Sequence, residues 1–371
     1  MNDLGILKNE ERINLFMRRL YELYGYKKYR MNKFEEYSFY IQNKSFLESD
    51  RFITFNDPDG RLMALKPDVT LSIAKNSTAS EENQRIYYSE SIFRTRGSSG
   101  EFAELRQTGL GFIGSIDIFA TTEVISLALQ TLEIISGSYV LSLSHMGVIS
   151  AVLEGVTDDY SLRRRITGCI RGKNLHDLRM ICAQAAIAPE AAGRLEKLIS
   201  IRGRLNKAAA ELEQVFGSDA PEAIAELKSI ASAFENTQYA EHLQLDMSAV
   251  SSTDYYNGIL LSGFVQGVAH SVITGGRYDY LLRRLGKDNL NAMGFAVNFC
   301  YLERMLQSRE VQQETVVLYD DTTPPSLLEE TMRKMTADGE KVRAVRAGIG
   351  LQGGLQYGKT VDLTVGGGDG K

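Results

Sequence analysis

The chain has 371 residues, 43% hydrophobic and 24% charged, enough for two or three domains with a sizeable core and too apolar for wholesale disorder. Asp plus Glu number 47 against 42 for Lys plus Arg, a formal net charge of −5, which argues against a protein built chiefly to grip phosphate backbones. Three scattered cysteines without a CxxC and four scattered histidines without an HExxH argue against a disulfide framework, structural zinc and metal hydrolysis, and suit a reducing cytoplasm.

The opening Met1–Lys8 has no apolar stretch of signal-peptide length, and no run of about 18 apolar residues marks a membrane span, so a cytoplasmic location without a membrane partner is expected. Residues 10–24 read as an amphipathic helix, with Ile13, Phe16, Met17, Leu20, Leu23 and Tyr24 on one stripe and Gly25 as a stop. Arg51–Phe55 and Arg61–Leu65 flank Asn56-Asp57-Pro58-Asp59-Gly60, a hairpin with strong turn chemistry. A short helix is predicted from Pro67, whose missing N–H costs nothing in a first turn. Strands over 84–94 and 103–114 surround the loop Gly97–Gly100; a helix near 118–135 and a strand near 139–144 follow. From about 157 to 247 the chain is rich in Ala, Leu, Glu and Lys and reads as a helical insertion.

Strand character returns at Ile259–Val265 and Val268–Thr274, with a turn at Gly275-Gly276, then helices over about 278–285 and 297–306. The last segment shows one strand (Thr315–Tyr319), one helix (Ser326–Asp338) and weaker strands. The fold class is α+β with a mostly antiparallel sheet, since strands pair through short turns rather than helical crossovers. The expected division is 1–312 and 313–371, the second a short α/β segment. Two nucleotide motifs match formally and fail on context. Gly353–Thr360 fits GxxxxGK[ST], but Val361–Val365 reads as strand where a helix is required, so a glycine-rich hairpin turn is expected. Gly109–Gly114 fits GxGxxG but continues an apolar strand.

Four separated stretches are more specific. They are Leu65-Lys66-Pro67-Asp68-Val69-Thr70; Ile92-Phe93-Arg94-Thr95-Arg96 running on to Leu105-Arg106-Gln107-Thr108-Gly109; Thr253-Asp254-Tyr255-Tyr256-Asn257-Gly258 with Gly275-Gly276-Arg277-Tyr278-Asp279; and Met293-Gly294-Phe295-Ala296. In this order and spacing the chain resembles histidyl-tRNA synthetases over roughly residues 5–310. That resemblance implies a class II aminoacyl-tRNA synthetase-like antiparallel core and a remnant histidine pocket of Asp68, Thr70, Arg94, Gln107, Tyr255 and Tyr256. In such a pocket Asp68 and Thr70 accept from an α-ammonium and Arg94 forks onto the α-carboxylate. Gln107 bonds a polar substrate atom, and the tyrosines face an imidazole. Taken singly, each reads more readily as an ion-paired or core residue than as a ligand.

The departures from the family pattern are as informative. Three positions where synthetases carry ATP-gripping arginines hold Ser251, Glu101 and Tyr301; an acidic residue expected four positions after Gln107 is Gly111; and the motif 1 proline is absent from Arg30–Glu36. Adenylation develops negative charge that these cations would offset, so loss of all three implies no aminoacylation. Residues 313–371 are also too few for a complete anticodon-binding domain, and no tRNA, cofactor or metal is expected. What remains resembles the regulatory subunits of ATP phosphoribosyltransferase, synthetase paralogues of histidine biosynthesis. That resemblance implies a non-catalytic homodimeric core. It implies further that this core assembles with a short-form catalytic subunit into a hetero-oligomer (a hetero-octamer among the arrangements) that mediates histidine feedback, with L-histidine bound on this chain, on the partner or between them. A divergent histidyl-tRNA synthetase, or another synthetase paralogue, is the alternative.

Overall fold

The computed structural model describes residues 7–47, 51–78, 83–96, 100–250, 256–306, 314–348 and 357–364. The chain divides into two units, Met1–Leu306 and Gln307–Lys371.

The first unit opens with α1 (Asn9–Leu23), β1 (Lys27–Lys28), β2 (Phe34–Glu36), α2 (Tyr37–Gln42), β3 (Thr54–Asn56), β4 (Leu62–Leu65) and α3 (Thr70–Asn76). Two long strands follow, β5 (Gln84–Arg96) and β6 (Glu101–Gly114), then α4 (Ile118–Ile135), β7 (Tyr139–His145) and α5 (Met146–Glu154). The insertion contains α6 (Tyr160–Gly172), α7 (Leu175–Gln184), α8 (Pro189–Ser200), β8 (Arg202–Arg204), α9 (Leu205–Phe216), α10 (Pro221–Phe234) and β9 (Leu243–Asp246). The unit closes with β10 (Ile259–Val265), β11 (Ile273–Arg277), α11 (Asp279–Arg284), β12 (Asn291–Asn298) and α12 (Glu303–Leu306).

Nine strands form the main sheet in the order β1-β5-β6-β12-β11-β10-β7-β9-β8. β1 with β5 and β7 with β9 are parallel, and the remaining pairs are antiparallel. One face carries Tyr87, Leu110, Phe295 and Leu261 into a core shared with Ile13, Met17 and Tyr21 of α1 and with α4. By length and composition α4 could cross a membrane, but ten of its residues are buried in this core. Asp117 starts it by accepting from the Ala120 N–H at 2.8 Å.

The opposite face is bare in its middle, while Ile113 and Ala292 toward one end join a second core with Leu71, Ile73 and Leu282. Gly111, Gly294 and Gly276 stand in one cross-strand row. Beside them run Tyr88, Gly109, Ala296, Thr274 and Ser262, then Glu90, Gln107 and Asn298. A Cβ at Gly294 would land on the Leu110 carbonyl oxygen, and one at Gly276 on that of Ile259. The second unit is a parallel sheet, β14 (Val342–Arg346), β13 (Glu314–Tyr319) and β15 (Tyr357–Asp362), with α13 (Pro325–Ala337) crossing from β13 to β14.

Several sequence expectations need correction. α3 starts at Thr70 rather than Pro67, because the Asp68 side chain accepts from the Leu71 N–H at 2.8 Å and supplies the missing partner there. α1 buries Ile13, Met17 and Tyr21 but leaves Phe16, Leu23 and Tyr24 exposed, a narrower arc than the apolar stripe. Gly275-Gly276 lies inside β11, and 268–272 precedes that strand; Val297 and Asn298 end β12 instead of opening a helix. The insertion is not wholly helical, since β8 and β9 extend the main sheet beyond β7. Lys359 and Thr360 of the GxxxxGK[ST] match sit on β15, parallel to β13 rather than in a hairpin, while Gly353–Gln356 lies outside the described residues. Gly109–Gly114 is strand throughout.

Candidate functional site

The bare sheet face floors a cavity of about 410 Å³, in the range of small-molecule sites. Its lining runs from Tyr88 and Arg94 on β5 to Ser262 on β10, four strand steps and thus about 19 Å. Three tyrosine rings lie over three glycines of the floor. A Cβ at Gly276 would come within 2.9 Å of Tyr256 Cδ1, one at Gly111 within 3.2 Å of Tyr278 Oη, and one at Gly109 within 2.7 Å of Tyr88 Oη. Glycine at those positions lets Tyr256 and Tyr278 come down onto the sheet and lets the Tyr88 side chain lie across its strand neighbour Gly109.

Of the six residues predicted for the site, Asp68, Thr70, Arg94, Gln107 and Tyr256 line this cavity; Tyr255 lies outside the described residues. Asp68 and Thr70 come from the segment between β4 and α3, which is fastened to β5. Phe93 N–H donates to the Lys66 carbonyl at 2.9 Å and Arg94 Nε to the Pro67 carbonyl at 2.6 Å. Lys66 Nζ meets Glu90 at 2.7 Å. Arg94 Nη2 stands 3.5 Å from Asp68 Oδ2, so the two groups assigned to opposite ends of a zwitterion face each other. Gln107 is buried and donates through Nε2 to Asn298 Oδ1 at 2.6 Å. Burial, then the nearby Asp68 charge, pushes the hydroxyls of Tyr88 and Tyr278 well above the ordinary tyrosine range. Both remain neutral hydrogen-bonding groups.

Tyr88, His270, Thr274, Tyr278 and Asn298 also line the cavity and were not assigned to it from sequence. Tyr278 and Asn298 were reachable, being within or two residues beyond the quoted motifs; nothing local marked Tyr88 or His270. Tyr301 is 43% exposed at the rim, its ring 4.8 Å from that of His270. Glu101 is exposed at the start of β6, and Ser251 lies outside the described residues. Among the described lining residues, Arg94 is the only Lys or Arg and Asp68 the only carboxylate.

The comparisons bear on this geometry. A regulatory subunit of ATP phosphoribosyltransferase from Bacillus thuringiensis (strain Al Hakam) is 23% identical over 343 residues, covering 90% of this chain and 81% of that protein. A solved structure described as an ATP phosphoribosyltransferase regulatory subunit/histidyl-tRNA synthetase from Bacillus halodurans C superposes with a TM-score of 0.77 at 24% identity, covering 96% of this chain and 94% of that one. A chain of the ATP phosphoribosyl transferase (HisG:HisZ) complex from Thermotoga maritima gives 0.61 at 16% identity, covering 77% and 96%. The family described as Histidyl-tRNA synthetase matches residues 6–302, the bare-faced sheet, the insertion and the cavity included, and the chain belongs to that family.

Proposed function

We propose that the chain is a non-catalytic regulatory subunit of an ATP phosphoribosyltransferase, the enzyme that opens histidine biosynthesis, and that its cavity takes L-histidine. It works on a catalytic subunit of the short form, in a hetero-oligomer built on a homodimer of this chain in the cytoplasm. One observation carries the proposal. Five amino-acid-binding candidates from distant parts of the sequence converge on one cavity. The described positions of the ATP-gripping arginines instead hold an exposed Glu101 and a rim Tyr301. A site that keeps amino-acid chemistry without triphosphate chemistry suits a sensor better than an adenylating enzyme. The name of the curated relative from Bacillus thuringiensis agrees with that choice, and Phe16 and Leu23 on α1, with Tyr24 just after it, are exposed and offer apolar surface for a second copy.

The test is co-purification with a short-form catalytic subunit, followed by phosphoribosyl transfer assays with and without histidine. The expected result is a complex whose activity requires this chain and falls as histidine is added. Histidine-dependent ATP–pyrophosphate exchange by the pure chain would replace the proposal with a divergent synthetase.

A further inference from the structure

α10 lies in the insertion, yet its Glu226 reaches the end of β7, whose neighbouring backbone bonds the segment that follows Tyr256. Glu226 Oε2 of α10 is 3.0 Å from His145 Nε2 at the end of β7. His145 Nδ1 accepts from the Gly147 N–H at 3.1 Å and caps α5, so Nε2 carries the ring proton and donates to Glu226. The adjacent Met146 N–H donates to the Gly258 carbonyl at 2.9 Å. Arg277 lies against Gly258, its Cδ 3.0 Å from where a Cβ would stand, and its carbonyl accepts from Asn257 N–H at 3.1 Å.

Arg277 Nε then donates to Asp279 Oδ2 at 2.7 Å. Asp279 is 2% exposed; its Oδ1 accepts from Ala292 N–H at 2.9 Å, and its own N–H donates to Asn257 Oδ1 at 2.9 Å. Residues 257–258 are thus held from both sides, and Tyr256 is the next residue. Burial opposes ionisation of Glu226, but the bond from His145 and the charge of Arg277 outweigh it, and the carboxyl is held below its usual range. Lys228, the other charged anchor on α10, bonds Glu213 of α9 and so does not reach the sheet.

We infer that Glu226 is a positioning residue for the cavity: from α10, through His145 and Arg277, it fixes the backbone at 256–258 that lays the Tyr256 ring over Gly276. A coupling of this kind is reciprocal. Displacing α10 weakens ligand binding, and a ligand packed on Tyr256 resists displacement of α10. This gives the insertion a route to the cavity without touching it.

The first readout rests on the proposal that histidine binds. L-histidine is titrated calorimetrically into the full chain, into Glu226→Ala, into Tyr256→Ala and into the double variant. Positioning through Tyr256 predicts roughly tenfold weaker binding for Glu226→Ala, shrinking below about twofold in the Tyr256→Ala background. Equal factors in both backgrounds, or no change, overturn it. Glu226→Gln keeps the shape but replaces the charge-assisted bond to His145 with a weaker neutral one and removes the charge that acts on Arg277; it serves if alanine prevents folding, with a smaller loss and the same non-additivity expected. The second readout needs no ligand. Fluorotyrosine placed at 256 shifts its fluorine resonance in Glu226→Gln if the inference holds, and an unmoved resonance refutes it. A moved resonance in a chain that binds no histidine removes the histidine proposal and leaves the positioning role standing.

Discussion

The pair Lys66–Glu90 offers a sharp test of how the site's wall is built. The Lys66 side chain is 0% exposed and that of Glu90 17%, with Nζ and Oε2 at 2.7 Å. Removing one partner of a buried pair costs about 3–5 kcal/mol when the survivor stays fully buried, because its desolvation is no longer offset. Glu90→Gln leaves Lys66 in that position, since no part of its side chain reaches water, and about 3–5 kcal/mol is expected. Lys66→Met leaves Glu90, which can still recruit solvent, and the methionine fills the lysine's volume; about 1–2 kcal/mol follows, nearer the cost of one unsatisfied polar group. The double variant Lys66→Met/Glu90→Leu strands no charge and is expected to recover most of the larger loss. Urea unfolding at pH 7 with a shared m-value measures all three. If Lys66→Met costs as much as Glu90→Gln, the pair is not governed by which charge is left buried, and the reasoning fails.

Gly294→Ala puts a Cβ on the Leu110 carbonyl oxygen, whereas at Gly111 the nearest atom is Tyr278 Oη at 3.2 Å. Gly294→Ala is expected to prevent folding or cost upwards of about 3 kcal/mol and Gly111→Ala about 1 kcal/mol, a ranking that thermal melts check. Asp246 is half-buried, which raises its carboxyl, but bonds from Ser248 and Lys173 outweigh this and hold it below the ordinary value. A depressed carboxylate stabilises the fold above the unfolded value of about 3.9 and loses that stability as pH falls through the folded value. Asp246→Asn is therefore expected to be less stable than wild type at pH 7, with the gap closing below about pH 4; a gap independent of pH counts against it. Lys287 Nζ donates to the carbonyls of Ala74 and Lys75 at 2.6 Å each, and to that of Ser77. Lys287→Met is expected to cost about 1.5–3 kcal/mol and to speed hydrogen exchange at the end of α3, the exchange pattern separating this cap from a diffuse loss.

How far the fold could be read depended on whether each element had one wet face. α1 and α10 bury one face and show the helical period, the β3–β4 hairpin carries its turn residues between two short strands, and sequence placed these, with α4 and the β5–β6 pair, within a few residues. β12 is Asn-Ala-Met-Gly-Phe-Ala-Val-Asn, buried at five of its eight positions and exposed at none, and its cavity face carries Gly294 and Ala296. The alternation that marks a half-buried strand is therefore erased; no strand was expected there, and its last two residues were assigned to a helix. β11, with Gly275 and Gly276 inside it, was cut short because paired glycines ordinarily signal a turn. Those glycines are instead required by neighbouring backbone and by the Tyr256 ring. β8 and β9, three and four residues long, are too short to outweigh the helix-forming composition around them.

That Asp68, Thr70, Arg94, Gln107 and Tyr256 share one cavity was legible in the sequence, and the electrostatics of that cavity were not. Resemblance to histidyl-tRNA synthetases in the order and spacing of four motifs brought Asp68, Thr70, Arg94, Gln107 and Tyr256 together, each sitting in a motif with its own recognisable residues. Nothing in that spacing revealed that Arg94 would spend Nε on the Pro67 carbonyl and stand opposite Asp68, because the contact depends on how the segment at 66–70 folds back on β5. The consequence is a matter of charge. The permanent charges among the described lining residues are one guanidinium and one carboxylate, which sum to zero, and the hydroxyls of Tyr88 and Tyr278 are kept neutral by burial. A ligand of net charge zero with separated ends, such as an amino-acid zwitterion, enters such a cavity without leaving an uncompensated charge. A triphosphate would bring several negative charges to the one Lys or Arg among the described lining residues, which already faces Asp68, and nothing else among those residues offsets the desolvation it would suffer.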